Sequence, residues 1–312
     1  MPGSSDILTR LRHGNVDERR IALLELEDDY DLVQASDLLP LLRDEDAAVR
    51  RLAVQALEEL GDPIAIPNLL EAVTDAEISG TAKHALREFR TPLAVAPLLQ
   101  GVSHPDPEVR AAAILALREH RSPQIIPVLS PVATGDPAPV VRREAVIALA
   151  YLQDSSVLPS LRAALRDSHP EVRKIAIGAI SFFPEETTPT ELIPSLEDPE
   201  WQVRREAAVA LARYPGNETV TALLKVLHDP YWEVLKEVLN TLGKLRFPAA
   251  EPLLPFFSHP IADVRIAAAT AAGASHDHRA RLPLETLAGE DPDTGVQKAA
   301  TRALQQLGIA TR

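Results

Sequence analysis

The chain has 312 residues, a formal net charge of -13 and no cysteine, so disulfides, thiolate metal sites and cysteine nucleophiles are excluded. Duplex binding needs a broad basic footprint, and the acidic balance argues against nucleic acid as a partner. Aromatics are only 4% of a composition dominated by Ala, Leu and Val, which suits close-packed helices better than sheets.

The N-terminal stretch MPGSSDILTRLRHG lacks the basic start and apolar run of a signal peptide. No uncharged apolar stretch approaches the ~20 residues of a membrane span. The expectation is a soluble, cytoplasmic protein with no membrane contact.

Taken in order along the chain, the predicted elements repeat. Aligned on a recurring Val-Arg pair, ten copies follow one another. Their anchors are Glu18, Val49, Ile78, Val109, Val141, Val172, Val203, Val234, Val264 and Val296, spaced by 29 to 32 residues. The first unit is flanked by the acidic run Glu27 to Asp31. The second to fifth each include a short apolar segment upstream, such as AIPNLLEAV or AVAPLLQGV. After the sixth anchor comes an irregular stretch, SFFPEETTPTELIP, which marks a possible flex point over residues 181–194. The seventh and eighth place Trp201 and Trp232 in the same slot, 31 residues apart. The tenth ends in polar Gln305 and Gln306.

Counted from the anchor, positions 1, 5, 8, 9 and 12 are apolar in most copies, which is helical spacing. Position 5 is Ala in nine copies and Val238 in the other; a small residue there lets neighbouring helices approach closely. Asp106-Pro107, Asp136-Pro137, Asp198-Pro199 and Asp229-Pro230 read as an N-cap acid followed by proline in the first helical turn. The upstream segment carries its own proline (Pro40, Pro67, Pro97, Pro127, Pro159, Pro194, Pro252, Pro283), expected in a first turn, where a missing N–H costs least. Each unit is therefore helix, tight turn, helix, and no strand pattern is present. Position 2, filled by Arg50, Arg110, Arg142, Arg173, Arg204 and Arg265, is read as a ladder of Arg–Asp bonds between the turns of adjacent units.

The pattern D-P-x-V-R-x-x-A-x-x-A-L, as in DPEVRAAAILAL from Asp106 to Leu117, resembles the HEAT-repeat family, and more narrowly its short units named after phycobilisome lyases. The resemblance covers roughly residues 6–310. It implies an all-α fold: an α-solenoid, or superhelix, of about ten two-helix repeats forming one continuous domain over 1–312. It also implies that the second helix of each unit lines a concave face.

On that helix, positions 3, 7 and 10 point away from the core. Position 3 is mostly basic, including Arg143, Lys174, Arg205 and Lys236. Position 11 is acidic at first (Asp28, Glu59, Glu88, Glu119) and then becomes Tyr151, Phe182, Arg213 and Lys244. The character changes near residue 140. Trp201, Tyr231 and Trp232 sit at the N-terminal edge of the same face. Exposed aromatic and basic residues are the usual anchors of protein interfaces. Arg143, Lys174, Arg205, Lys236, Tyr151, Phe182, Trp201, Tyr231 and Trp232 are therefore the expected partner-binding residues. The competing reading is that the two tryptophans pack into crevices between units and the basic line is a solvated face.

Catalysis finds no foothold. His104, His169 and His259 each precede proline and read as turn or cap residues. His276 and His278 flank Asp277 without a fourth ligand at helical spacing, so no metal is expected. The His-Glu dipeptides of HEAT-type deoxyhypusine hydroxylases are absent, and the acidic charge argues against a HEAT-like DNA glycosylase. No phosphate loop or nucleophile elbow occurs. The expected function is a non-enzymatic protein-binding scaffold without a cofactor, docking another protein whose surface is acidic or mixed acidic and apolar. The alternative that the resemblance implies is a bilin lyase or chromophore-handling subunit.

Overall fold

Nine of the ten anchors are the third residue of a helix, and Ile78 is the N-cap of one. The computed structural model describes residues 4–26 and 30–308. Asp28, and the Glu27 to Asp29 part of the acidic run, lie outside the described residues. The anchored helices are α1 (Val16–Glu25), α2 (Ala47–Leu60), α3 (Ser79–Glu88), α4 (Pro107–His120), α5 (Pro139–Tyr151), α6 (Pro170–Ile180), α7 (Trp201–Ala210), α8 (Trp232–Lys244), α9 (Ala262–Ala274) and α10 (Thr294–Gln306). No strand occurs among the described residues.

The register read from the sequence is that of the core. Position 5 is 0% exposed in all ten copies, and position 9 does not exceed 3%. The one polar anchor, Glu18, is exposed and serves a different purpose. Its carboxylate accepts the Asn15 N–H at 2.7 Å while Asn15 Oδ1 accepts the Glu18 N–H at 3.0 Å. This reciprocal box caps α1.

The upstream segment of a repeat is often a single 3-10 turn leading into a short α-helix. Pro63–Ala65 runs into Ile66–Ala72, Pro92–Ala94 into Val95–Gly101, and Pro123–Ile125 into Ile126–Gly135. Each recurring proline stands within the first turn of its segment. Asp62, Thr91, Ser122 and Asp154 cap the 3-10 turns by accepting the N–H two residues on. Glu251–Ser258 stays 3-10 throughout; Pro252 and Pro255 remove two donors there and their rings disfavour the tighter packing of an α-turn.

The caps of the anchored helices correct the sequence reading. Asp106 is the N-cap of α4, with Pro107 its first residue. The N-caps of α5, α7 and α8 are Ala138, Glu200 and Tyr231. Asp136, Asp198 and Asp229 stand two residues earlier, each accepting the N–H of that N-cap residue at 2.9 Å. These are Asx turns. They delay the helix by two residues, and Pro137, Pro199 and Pro230 fall in the turn.

The chain divides into two compact units, Met1–Ser160 and Leu161–Arg312. In the first, α1 to α5 pack side by side in chain order; in the second, α6 to α10 do the same. The Arg–Asp ladder runs through each. In the first unit Arg19 binds Asp44 at 2.7 and 3.0 Å, Arg50 binds Asp75 at 2.6 Å, and Arg110 binds Asp136 through two 2.8 Å contacts. In the second, Arg173 binds Asp198 at 2.7 and 2.8 Å, Arg204 binds Asp229, and Arg265 binds Asp291 at 2.7 and 2.9 Å. Each of the later arginines also donates to the carbonyls five and six residues before it, as Arg204 does to Asp198 and Pro199.

The irregular stretch 181–194 is tied to the next repeat. Thr187 is buried, and its hydroxyl bonds the Phe183 carbonyl and the Tyr214 hydroxyl, both at 2.6 Å. Burial pushes the Tyr214 phenol above its ordinary range.

Candidate protein-binding surface

Trp201 and Trp232 are the first residues of α7 and α8, and Tyr231 is the N-cap of α8. The equal spacing of the repeats thus puts Tyr231 beside Trp201. Their rings stack with centroids 5.8 Å apart and planes 13° apart. Arg204, held by Asp229, lies 5.5 Å over the Tyr231 ring, so one rung of the ladder floors the aromatic cluster. Arg205 lies 6.0 Å over Trp201, and Lys236 6.0 Å over Trp232. The tryptophans are half-buried, whereas Tyr231 is 45% exposed. Trp201 thus packs against the next repeat through Tyr231, and both tryptophans keep part of their surface open to solvent.

The position-3 cations do not form a bare positive strip. Arg143 contacts Glu144 at 2.6 Å, Lys174 contacts Glu171 at 2.6 Å, and Lys236 contacts Asp263 at 2.7 Å. The partners come from position 4 for Arg143 and from the residue before an anchor for Lys174 and Lys236. Position 4 is also acidic in the seventh and eighth copies, Glu206 and Glu237, next to Arg205 and Lys236. Burial pushes the Glu206 carboxyl above the usual carboxylate range, against the pull of Arg205 and Lys174.

Phe182 lies just beyond the C-terminal end of α6, about 15 Å along the helices from the tryptophan edge at 1.5 Å per residue. Arg213 covers its ring at 5.1 Å, and Phe182 is 59% exposed. In the unit Met1–Ser160, Arg143 lies in the second turn of α5 and Tyr151 ends it. Arg118 lies 5.0 Å over Tyr151, which is 50% exposed. Arg118 and Arg213 are guanidinium partners that sequence reasoning did not pair with the rings. Their positions, 10 and 11 of neighbouring copies, are the signal that could have found them.

Each exposed ring is thus backed by a guanidinium within cation–π range. Such rings are held in place and present one free apolar face. Among the described residues, no three His, Asp or Glu side chains converge to hold a metal ion. Asp277 is used by its own turn, accepting the Ala250 N–H at 2.9 Å and pairing with Arg279 at 2.8 Å. His169 caps α6, and His104 and His259 close turns. No described helix is long and apolar enough to cross a membrane.

Helix pairs that share a continuous core with their neighbours, and a polar ladder linking their turns, define an α-solenoid. A family model for HEAT repeats matches residues 4–81, 74–149, 126–212, 189–255 and 220–305. The chain belongs to the HEAT-repeat family. No curated protein matches it. Among solved structures, it is similar to yeast importin-β (Kap95p) at 15% identity and a TM-score of 0.65, covering 98% of this chain and 51% of that one. It is similar to YibA of E. coli at 19% identity and a TM-score of 0.54, covering 92% and 97% of the two chains. An engineered protein aligns over 100% of both chains at 20% identity and a TM-score of 0.52. The chain spans about half the length of the importin-β chain, and these likenesses show the fold.

Proposed function

We propose that this chain is a non-enzymatic protein-binding scaffold that docks a partner protein on the exposed rings of residues 161–312. The observation that carries the reading is the set of rings seated on guanidinium groups: Tyr231 and Phe182 are exposed, yet each is fixed by Arg204 or Arg213. Fixed aromatic area with adjacent donors is what interface hot spots are made of. Trp201 and Trp232 supply the half-buried base of the patch. Arg205, Lys236 and Lys174 supply donors at its border, and Arg143 with Tyr151 offers a smaller patch of the same kind in the unit Met1–Ser160. The partner surface that fits is mixed acidic and apolar, because most of these cations already have an acid beside them. Kap95p, similar to this chain in fold, binds RanGDP and induces its switch loops to adopt the GTP-bound conformation; that supports a protein partner for a fold of this kind.

The test is affinity capture from a lysate of the source cells, with wild type beside Phe182→Ala/Tyr231→Ala. Both side chains are exposed, so the variant should keep its circular dichroism. A protein held by wild type and lost from the folded variant supports the reading. Equal capture by both contradicts it.

A further inference from the structure

The ladder has a gap in the first unit. Between α3 and α4 the position-2 residue is Ser79 rather than arginine, and the turn residue that should face it is His104 rather than aspartate. Both partners are replaced together. His104 keeps the local half of the aspartate's role: its Nδ1 accepts the Asp106 N–H at 3.1 Å, as Asp136 accepts from Ala138. Its Nε2 faces Glu71 at 3.2 Å, within the preceding layer of turns. Among the described residues, no guanidinium of α3 reaches this turn.

Three further observations fall on the same junction. α3 starts late, with Ile78 as an N-cap that offers no side-chain bond, and Gly80 is its second residue. The ion pairs that cross to α4 are Lys83–Glu108 at 2.8 Å and Arg87–Glu119 at 3.5 Å, each with a member at least two-fifths exposed, and such pairs stabilise little. α4 packs more extensively on α5 than on α3.

The second unit holds a useful contrast. The junction of α8 and α9 also lacks its rung, with Leu235 and His259 in the two places. There Gly243 brings the backbones together: a Cβ on it would lie 3.1 Å from Ala271 Cα. Close backbone packing takes over the clamp's role there; at the other junction Gly80 of α3 has open space beside it, and the close approach, Gly101 to the Leu70 side chain, lies in the upstream segments.

We infer that the α3–α4 junction is a pivot built into the unit Met1–Ser160. A two-point Arg–Asp bond is directional and resists sliding and rotation of neighbouring repeats; apolar contact is not directional and tolerates both. With the rung gone, α3 moves on α4 more readily than α2 moves on α1 or α4 on α5. The pivot lets the outward residues of α3, His84 and Arg87, adjust to whatever the unit contacts.

Amide hydrogen exchange by mass spectrometry tests this on the full chain. Wild type is compared with Ser79→Arg/His104→Asp, which installs the missing rung. In wild type, amides of α3 should exchange faster than those of α2 and α4. In the variant, α3 exchange should slow by about ten-fold, the effect of one charge-assisted bond on a local opening equilibrium, while α7 to α9 stay unchanged. Equal protection of α2, α3 and α4 in wild type would overturn the inference, whether or not the variant folds. So would a folded variant whose α3 exchanges at the wild-type rate.

Discussion

Asp291 shows what one residue of the ladder contributes. Its side chain is 4% exposed and Arg265 is 11% exposed, so the pair is nearly out of water. The Arg265 guanidinium holds the carboxyl below the usual aspartate range, helped by the Asp293 N–H and opposed by burial. A depressed native value means that the carboxylate stabilises the fold above the unfolded-state value near pH 4 and loses that contribution as pH falls through the native value. Asp291→Asn should therefore cost about 2 kcal/mol at neutral pH, as loss of a hydrogen bond to a charged group does. The gap from wild type in urea denaturation should close as the pH drops below about 4. A gap of constant size down to pH 2 would contradict the assignment.

The arginine column was legible because a Val-Arg pair recurs every 29 to 32 residues. The aspartate column was read two residues out of place. An Asp before Pro looks like a cap, but in most copies it closes an Asx turn first and the helix begins afterwards. Only in α4, where His104 occupies the turn position, is the Asp-Pro aspartate the cap itself. At the tenth copy Gln297 stands in for arginine and keeps the backbone contact, donating to the Asp291 carbonyl at 2.8 Å.

Helix packing adds a second determinant. In α9, Gly273 faces α10 so closely that an added Cβ would lie 2.6 Å from Ala303 Cα. In α6, Gly178 has only Glu206 Oε1 within reach, at 3.5 Å. Both sit inside helices, where Gly→Ala gains up to about 1 kcal/mol of propensity. At Gly273 overpacking of about 1 to 3 kcal/mol outweighs that gain, so Gly273→Ala should lower the urea midpoint. Gly178→Ala should leave it unchanged or raise it. The reverse order would mean that α9 and α10 are free to separate.

These close approaches were invisible in the sequence, which shows a glycine but not what it faces. The helix ends were hidden for a related reason. Position 13 is left-handed in several copies, with φ of 46° at Arg121, 53° at Gln153, 51° at Arg246 and 56° at His276. Only Gly61 and Gly308 carry the residue that normally announces such an end. By contrast, core columns 5 and 9 were legible, because helical periodicity is set by burial and repeats ten times, whereas position 6, buried at Val54, Ile114, Val146, Ile177 and Leu239, was missed.

The charge of the molecule is unevenly placed along the chain. Residues 1–160 carry 25 acidic and 15 basic side chains, and residues 161–312 carry 20 and 17. The second unit is thus close to balanced, and its exposed rings are not surrounded by repulsive charge. The sequence disclosed the aromatic and basic residues but not their pairing. Neighbouring acids pair with Arg143, Lys174 and Lys236 of the basic line, and the rings gather at two ends of the helices instead of one patch. Binding through this surface should therefore depend on the rings more than on the cations.

The most direct measurement is site-specific photocrosslinking. A benzophenone amino acid is placed at Tyr231, at Phe182, and at Leu93, which is 73% exposed in the other unit and serves as a control. If the rings form the docking surface, the probes at 231 and 182 capture the same protein and the probe at 93 does not. Crosslinks from 93 alone, or equal labelling from all three positions, would contradict it.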